Sequence, residues 1–301
     1  MDFFPPRRLG LLLGVVLLLL LLGLSGWGIT RLGSAPVAPL TVLWVLLPLL
    51  GLPLAAGVVY RLYGLLTALY RIDRDGFYLR WGPGSEQIPL GMVSGLRSGS
   101  QWGGRLWPAP GLWWPGCVVG RGLAGSLGEV EFFVSAGRDH LLLVEAGDRT
   151  LAITPQDPQA FVQAFVDATR LGSLEPIRTV SVRPDFLLAG VGEDRRARLL
   201  LLIGLALPLL LLVFLAFRAP GMPELIPFGF AEDGSVGTLA PPGRLLLLPI
   251  IGGFFWLIDL LLGAWAFRKP GGRLPAYGLW GVQVLLGLLL WGAVLQLLAA
   301  V

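Results

Sequence analysis

A chain of 301 residues with 55% apolar side chains, only 14% charged ones and a mean hydropathy of +0.75 cannot be accounted for by a soluble core alone. Its net charge of +4 comes almost wholly from arginine, with Lys269 the only lysine, in no pattern that points to nucleic acid. The single cysteine, Cys117, excludes an internal disulfide and reads as a free cytosolic thiol, and the single histidine, His140, excludes a histidine-clustered metal site.

In chain order, the first apolar run is Leu9 to Thr30, preceded by Arg7 and Arg8. Its 22 uncharged residues exceed the roughly 7 to 15 of a signal-peptide core, so it reads as a retained helix. Leu32 to Tyr60 follows almost at once, and the two predict a transmembrane hairpin over residues 1–63, with helices at about 9–29 and 37–60. Three further runs, Leu199 to Phe217, Leu245 to Phe267 and Leu274 to Val301, predict helices at about 199–217, 245–267 and 276–299 within 198–301. Each is long enough to span, because about 20 residues at roughly 1.5 Å rise cross about 30 Å of hydrocarbon.

Positive charge in the short loops sets orientation. Arg7 and Arg8, then Arg61, Arg71 and Arg74, then Arg195, Arg196 and Arg198, then Arg268, Lys269 and Arg273 all fall on one side of five spans. The amino terminus and the inserted segment are therefore expected in the cytoplasm and the carboxyl terminus outside.

Between the second and third runs, over 64–172, long apolar stretches give way to short alternating ones, the strand pattern. Tyr70 and Ile72 alternate with Arg71 and Asp73, Asp75-Gly76 supplies a hairpin turn, and Phe77, Leu79 and Trp81 alternate with Tyr78 and Arg80. Ile88 and Leu90 begin a third strand; Val130, Phe132 and Val134 mark another; His140 to Glu145 is a buried run, and Gly147-Asp148 turns into Leu151 and Ile153. A helix follows, capped by Asp157 with Pro158 in its first turn and with Phe161, Phe165 and Ala168 on one face. Residues 173–197 read as a linker.

The Tyr-Arg-Ile-Asp-Arg-Asp-Gly-Phe-Tyr-Leu of 70–79, Ile-Pro-Leu at 88–90, Pro115-Gly116 with Gly120, the Gly128 to Phe133 strand and Ile-Thr-Pro-Gln-Asp-Pro-Gln-Ala-Phe at 153–161 together resemble the bacterial pleckstrin-homology (PH) domain of multi-pass membrane proteins. The resemblance implies an antiparallel β domain closed by a carboxyl-terminal helix and a binding or assembly role, with no catalytic residue to carry over. The fold class expected is thus an α+β membrane protein, five transmembrane helices with an inserted PH-like domain. The loop from Met222 to Val236 resembles the proline and glycine loop of a membrane module found in bacteriocin-immunity-type proteins, with Phe228 or Gly229 where that family has histidine.

Four tryptophans, Trp102, Trp107, Trp113 and Trp114, gather with Arg105 between Ser98 and Gly116. Tryptophan favours the headgroup level and arginine meets phosphate, so this segment is a candidate membrane or partner contact; the alternative is that the rings fill the domain core or pack on the helices. Residues 61–121 hold seven arginines against Asp73, Asp75 and Glu86, whereas residues 129–194 hold five against eleven acids, which would let the first half face an anionic leaflet or simply be solvated. Asp259 is the only charge inside a span, and its depth matches that of Gln283 on the next helix, so an intramembrane hydrogen-bonded pair is expected. His140 reads as structural. With no Walker A sequence, no nucleophile and base and no paired acids, neither a cofactor nor an enzymatic activity is expected. The function expected is a cytoplasmic binding or scaffold domain that recognises a protein, peptide or inner-leaflet lipid. The alternative is a small transporter or immunity-type membrane component regulated by that domain.

Overall fold

The computed structural model describes residues 1–34, 37–99, 108, 111–123, 128–147, 149–171, 179–182, 191–192, 194–230 and 236–299. Five helices there are long and apolar enough to cross a bilayer: α1 (Arg8–Ser34), α2 (Thr41–Thr67), α4 (Arg195–Arg218), α5 (Leu247–Phe267) and α6 (Arg273–Ala299). A helix satisfies its own backbone, which is what lets such runs sit in hydrocarbon. Among the described helices α3 (Pro158–Leu171) is the amphipathic one, with Phe161, Ala164 and Ala168 buried on one face and the Asp157 carboxylate accepting from the Ala160 N–H at 2.9 Å as its cap. The protein is an α+β membrane protein.

Packing divides the chain into two compact units that do not follow the segments read off the sequence: Met1–Leu21 with Leu54–Phe186, and Leu22–Pro53 with Leu187–Val301. The boundary passes through α1 and α2, so each of these helices contributes to both.

The first unit is built on two sheets. One runs in the order β1 (Asp2–Phe3), β2 (Leu69–Ile72), β3 (Gly76–Trp81), β4 (Gly84–Pro89), β10 (Val180–Val182). The other runs β5 (Val93–Ser98), β8 (Leu142–Ala146), β9 (Arg149–Ile153), β7 (Glu129–Val134), β6 (Val118–Leu123). Between them and α3 lies a core of Tyr70, Ile72, Phe77, Leu79, Trp81, Phe133, Leu142, Leu151, Ile153 and Phe161, to which α2 adds Val58, Leu62 and Leu65. The alternation expected in β2 and β3 is the one observed. Tyr70 Oη, fully buried, donates to the Phe133 carbonyl at 2.7 Å and so ties one sheet to the other; burial pushes its phenol well above the usual range.

Three local expectations are corrected. The β2–β3 turn is made by Asp73, whose Oδ1 accepts from the N–H groups of Asp75 and Gly76 at 3.0 and 2.9 Å, a side-chain-closed turn rather than a two-residue Asp-Gly one. Ile88 lies near the end of its strand, not its beginning, because the chain reverses earlier, at Gly82-Pro83. The sheets are also not wholly antiparallel: β7 pairs with β9 in parallel, from Val130 opposite Thr150 to Phe133 opposite Ile153. The cause is the tight β8–β9 hairpin at Gly147 (φ 60°), which folds β9 back into the space between β8 and β7.

Both edge strands of the first sheet come from beyond the segment whose pattern announced it. β10 belongs to the expected linker and pairs with β4. β1 precedes the first span: Asp2 and Phe3 pair with Arg71 and Tyr70, Phe3 stacks edge-on against Phe161 at 5.1 Å, and the Phe4 carbonyl accepts from Gln156 N–H. These short strands cover edges that would otherwise be open to pairing.

In the second unit, α5 and α6 pack as a hairpin with α4 against both. Val45 of α2 joins Leu211, Leu212 and Leu215 of α4 and Val294 of α6 in one cluster with Ile226 and Leu245. Trp27 of α1 stacks edge-on against Trp44 of α2 at 4.6 Å. Between α4 and α5, β11 (Ile226–Phe230) and β12 (Val236–Ala240) form a hairpin, so the loop that resembled an immunity-type module is a β-ribbon at its described ends.

The Arg71 guanidinium, bidentate on Asp2 with Nε at 2.5 Å and Nη2 at 2.9 Å, holds the Asp2 carboxyl below the usual range. A depressed carboxyl adds stability above its unfolded-state value of about 3.9 and loses it as pH falls through the lower folded-state value. The amide of Ile72, which donates to the Met1 carbonyl, should therefore be protected from hydrogen exchange at pH 6 and lose part of that protection below about pH 4. Asp2→Asn should abolish the pH dependence; equal protection factors at pH 6 and pH 3 in the wild type would refute this account of β1.

Candidate functional site

The region of interest is where the domain meets the first two helices, all within the first unit. Trp114-Pro115-Gly116-Cys117 is a tight turn closed by Cys117 N–H donating to the Trp114 carbonyl at 2.9 Å, with Gly116 at φ 88°, the position a type II turn reserves for glycine after proline. The turn lies directly on the first turns of α1. A side chain at Gly10 would collide with the Gly116 carbonyl, one at Gly116 with the Gly10 amide, and one at Gly14 with Trp114. Trp114 is buried and its indole N–H donates to the Gly10 carbonyl at 2.9 Å.

α2 is held as firmly. Trp81 packs against Gly64, and Thr67 Oγ1 accepts from Gly82 N–H at 3.0 Å, which seats the β3–β4 turn on the end of the helix. Arg7 Nη2 donates to the Ala68 carbonyl at 2.5 Å, a cation where the helix dipole is negative. Cys117 is buried in the same core, its thiol donating to the Arg61 carbonyl at 3.9 Å.

Of the five tryptophan-segment residues, Trp102, Arg105 and Trp107 lie outside the described residues. Trp114 is no membrane contact: its ring fills the junction between domain and helix. Trp113 is half-buried and lines an apolar cavity of about 420 Å³ with Leu9, Val118, Phe132, Val134 and Leu141. A larger and more polar cleft, about 1020 Å³, lies between β1, the start of α3 and the turn before β8, and is lined by Ser98, Asp139, His140, Gln156, Gln159 and Gln163 among others.

Residues 68–168 match the family model described as bacterial PH domain. This inserted segment is a bacterial PH domain. No curated protein and no solved structure matches the chain. The match covers the two sheets from β2 onward and most of α3, while β1 and β10 lie outside it.

The PH domain does not keep the charge split of its sequence. Arg97 meets Glu145 at 2.8 Å, and Arg121 meets Glu129 at 3.2 Å and Glu131 at 3.8 Å, so arginines of the first half pair with acids of the second. Strand pairing brings them together: β5 lies on β8, and Arg121 stands opposite Glu131 across β6 and β7. Among the described residues there is no group of three or more His, Cys, Asp or Glu side chains able to hold a metal.

The expected intramembrane pair is also corrected. Gln283 is buried and its Nε2 donates to the Gly252 carbonyl at 3.0 Å, while Asp259 contributes its backbone carbonyl to the Trp280 indole at 3.0 Å. Asp259 lies about 12 Å from the end of α5 and Gln283 about 15 Å from the start of α6, so antiparallel packing sets Gln283 about 3 Å, roughly two residues, beyond Asp259. Trp280, one turn earlier, takes the place opposite it. Trp256 and Trp291 likewise donate to carbonyls of α4, at Leu201 (2.9 Å) and Leu207 (3.0 Å). Three indoles thus hold these three helices together through backbone oxygens, a pattern the sequence signalled only by the placing of Trp in spans.

Gly116→Ala combines strain at φ 88° with a clash against α1 and should lower stability by about 1–3 kcal/mol, read as a reduced melting temperature of the purified full-length chain. An unchanged melting temperature would mean that the junction is loose. In the spans, Gln283→Ala should cost about 1–2 kcal/mol and Asp259→Asn almost nothing in the same assay; the reverse order would restore Asp259 as the structural polar group.

Proposed function

We propose that the chain is a membrane-anchored binding or scaffold protein, not an enzyme, in which the PH domain recognises a protein, a peptide or an inner-leaflet lipid and the helices hold it at the bilayer. The observation that carries this reading is the junction: Gly10 against Gly116 and the Trp114 indole on the Gly10 carbonyl fix a PH domain directly to the first span. A module joined this closely is presented at a set height and orientation, which suits recognition at the membrane surface.

The arginines flanking the spans support a bacterial inner-membrane location with the amino terminus and the PH domain cytoplasmic and the carboxyl terminus outside. Ser98, Gln156, Gln159 and Gln163 offer hydrogen-bonding groups along the 1020 Å³ cleft, enough length and polarity for an extended peptide. Transport through the helices has less support, because the Gln283 Nε2 donates to the Gly252 carbonyl and the tryptophan donors serve other backbone oxygens.

A photo-crosslinking amino acid at Gln159 or Gln163 of the full-length chain in its native membrane should trap a discrete partner, and Asp139→Arg in the same cleft should reduce that product. Partners trapped only from Leu225, in the loop between α4 and α5, with none from the cleft, would move the function to the other unit.

A further inference from the structure

The second sheet of the PH domain is apolar on both faces. Val119, Phe133, Leu142, Val144, Leu151 and Ile153 point into the main core. Phe132, Val134, Leu141, Leu143 and Ala152 form a second cluster on the opposite face, with Val118 packed against them. At one end of that second face the packing opens into the 420 Å³ cavity under Trp113, in the lower part of the range of about 300–1,000 Å³ that binds small ligands.

Three observations identify what the cavity takes. Its described lining is apolar apart from Arg138, and Ser135, the one hydroxyl among those residues, turns its Oγ to Thr154 Oγ1 at 3.3 Å. Its wall includes Leu9, in the first turn of α1 and so at the level where the span begins. Leu9 also heads a stripe of exposed residues, Leu9, Leu12, Val16 and Leu19, at helical spacing, which is the lipid-facing side of α1. Leu9 therefore belongs both to the hydrocarbon surface of the first helix and to the wall of the cavity. Charge at its borders agrees, since Arg138 lines it, Arg8 precedes Leu9, and no acid is among its described lining residues.

We propose that this cavity receives one acyl chain of an anionic phospholipid from the leaflet in which α1 begins, with the phosphate at the level of Arg8 and Arg138. The proposal deepens the reading of the PH domain as a binding module and rests on it. A chain seated here would be drawn aside from the bilayer by the indole of Trp113 above and the sheet below, while its headgroup stayed among the other lipids.

The test uses the full-length protein in vesicles of phosphatidylethanolamine and phosphatidylglycerol, with a trace of phosphatidylglycerol carrying a diazirine at the end of one acyl chain. Photolysis and peptide mapping should place label in residues 128–141 and at Trp113–Val118 as well as on the spans. Ala136→Trp, which fills the cavity from its rim, should reduce the domain label at least about fivefold, a loss of roughly 1 kcal/mol in occupancy, and leave the span label unchanged. Should that variant fail to fold, Gly137→Trp offers a second way to fill the same rim. Label confined to the spans, or domain label indifferent to the filled cavity, overturns the proposal. So does label that reaches the domain only when the diazirine is moved to the headgroup, which would mean surface contact without an inserted chain. Because both leaflets have the same composition and no partner is present, failure here alongside cleft crosslinks in cells would reject the acyl site and leave the binding role standing.

Discussion

Everything in the first unit depends on two backbones being allowed to touch. Gly10 and Gly116 meet with no side chain between them, and from that contact follow the seat of Trp114 on the α1 carbonyl, the burial of Cys117 and the continuity of the core from α2 into the sheets. Helix packing in membranes favours small residues because lipid tails give apolar side chains little reason to leave them. Here the small-residue contact joins a helix to a β-turn. The turn needs glycine for its φ of 88° and the helix needs glycine for the approach, so each constraint reinforces the other.

The two units solve the problem of orienting helices by different means. In the first, soluble-type packing of aromatic and aliphatic side chains reaches into the upper turns of α1 and α2. In the second, where apolar burial offers little, tryptophan N–H groups and Gln283 reach carbonyls on neighbouring helices, each a bond with no water to compete for it. Glycines at 204, 253, 263 and 287 make room for these neighbours; Gly263 lies so close to the Trp280 indole that no larger residue fits.

Much of this was legible in the sequence. Runs of twenty or more apolar residues fix spans almost without regard to context, and the alternation in Tyr70 to Trp81 fixes which residues of β2 and β3 face the core. The Asp157-Pro158 helix start is local chemistry and was equally plain. What stayed hidden was what depends on distant partners. Asp2 and Phe3 carry no strand pattern in two residues, and only Arg71 and Phe161 give them a place. The charge division between the halves of the domain was real in one dimension, but Arg97 and Arg121 meet acids of the second half where β5 lies on β8 and β6 on β7. The Asp259–Gln283 match failed because counting residues from helix ends is good to about a turn, and a hydrogen bond tolerates far less. For the tryptophans, composition proposed a common role for residues that turn out to differ: Trp114 is structural filling and Trp113 borders a cavity.

The closed edges of the first sheet bear on how the chain is made. β1 is synthesised ahead of the first span and β10 about 180 residues after it, and each pairs with a strand in the middle of the domain. β1 has no partner until α1 and α2 have been made and β2 follows them, and β4 keeps a bare edge until the chain beyond α3 has emerged. Assembly of the domain is thereby timed by membrane insertion, and residues 68–168 cut out by themselves would present two unpaired strands to solvent.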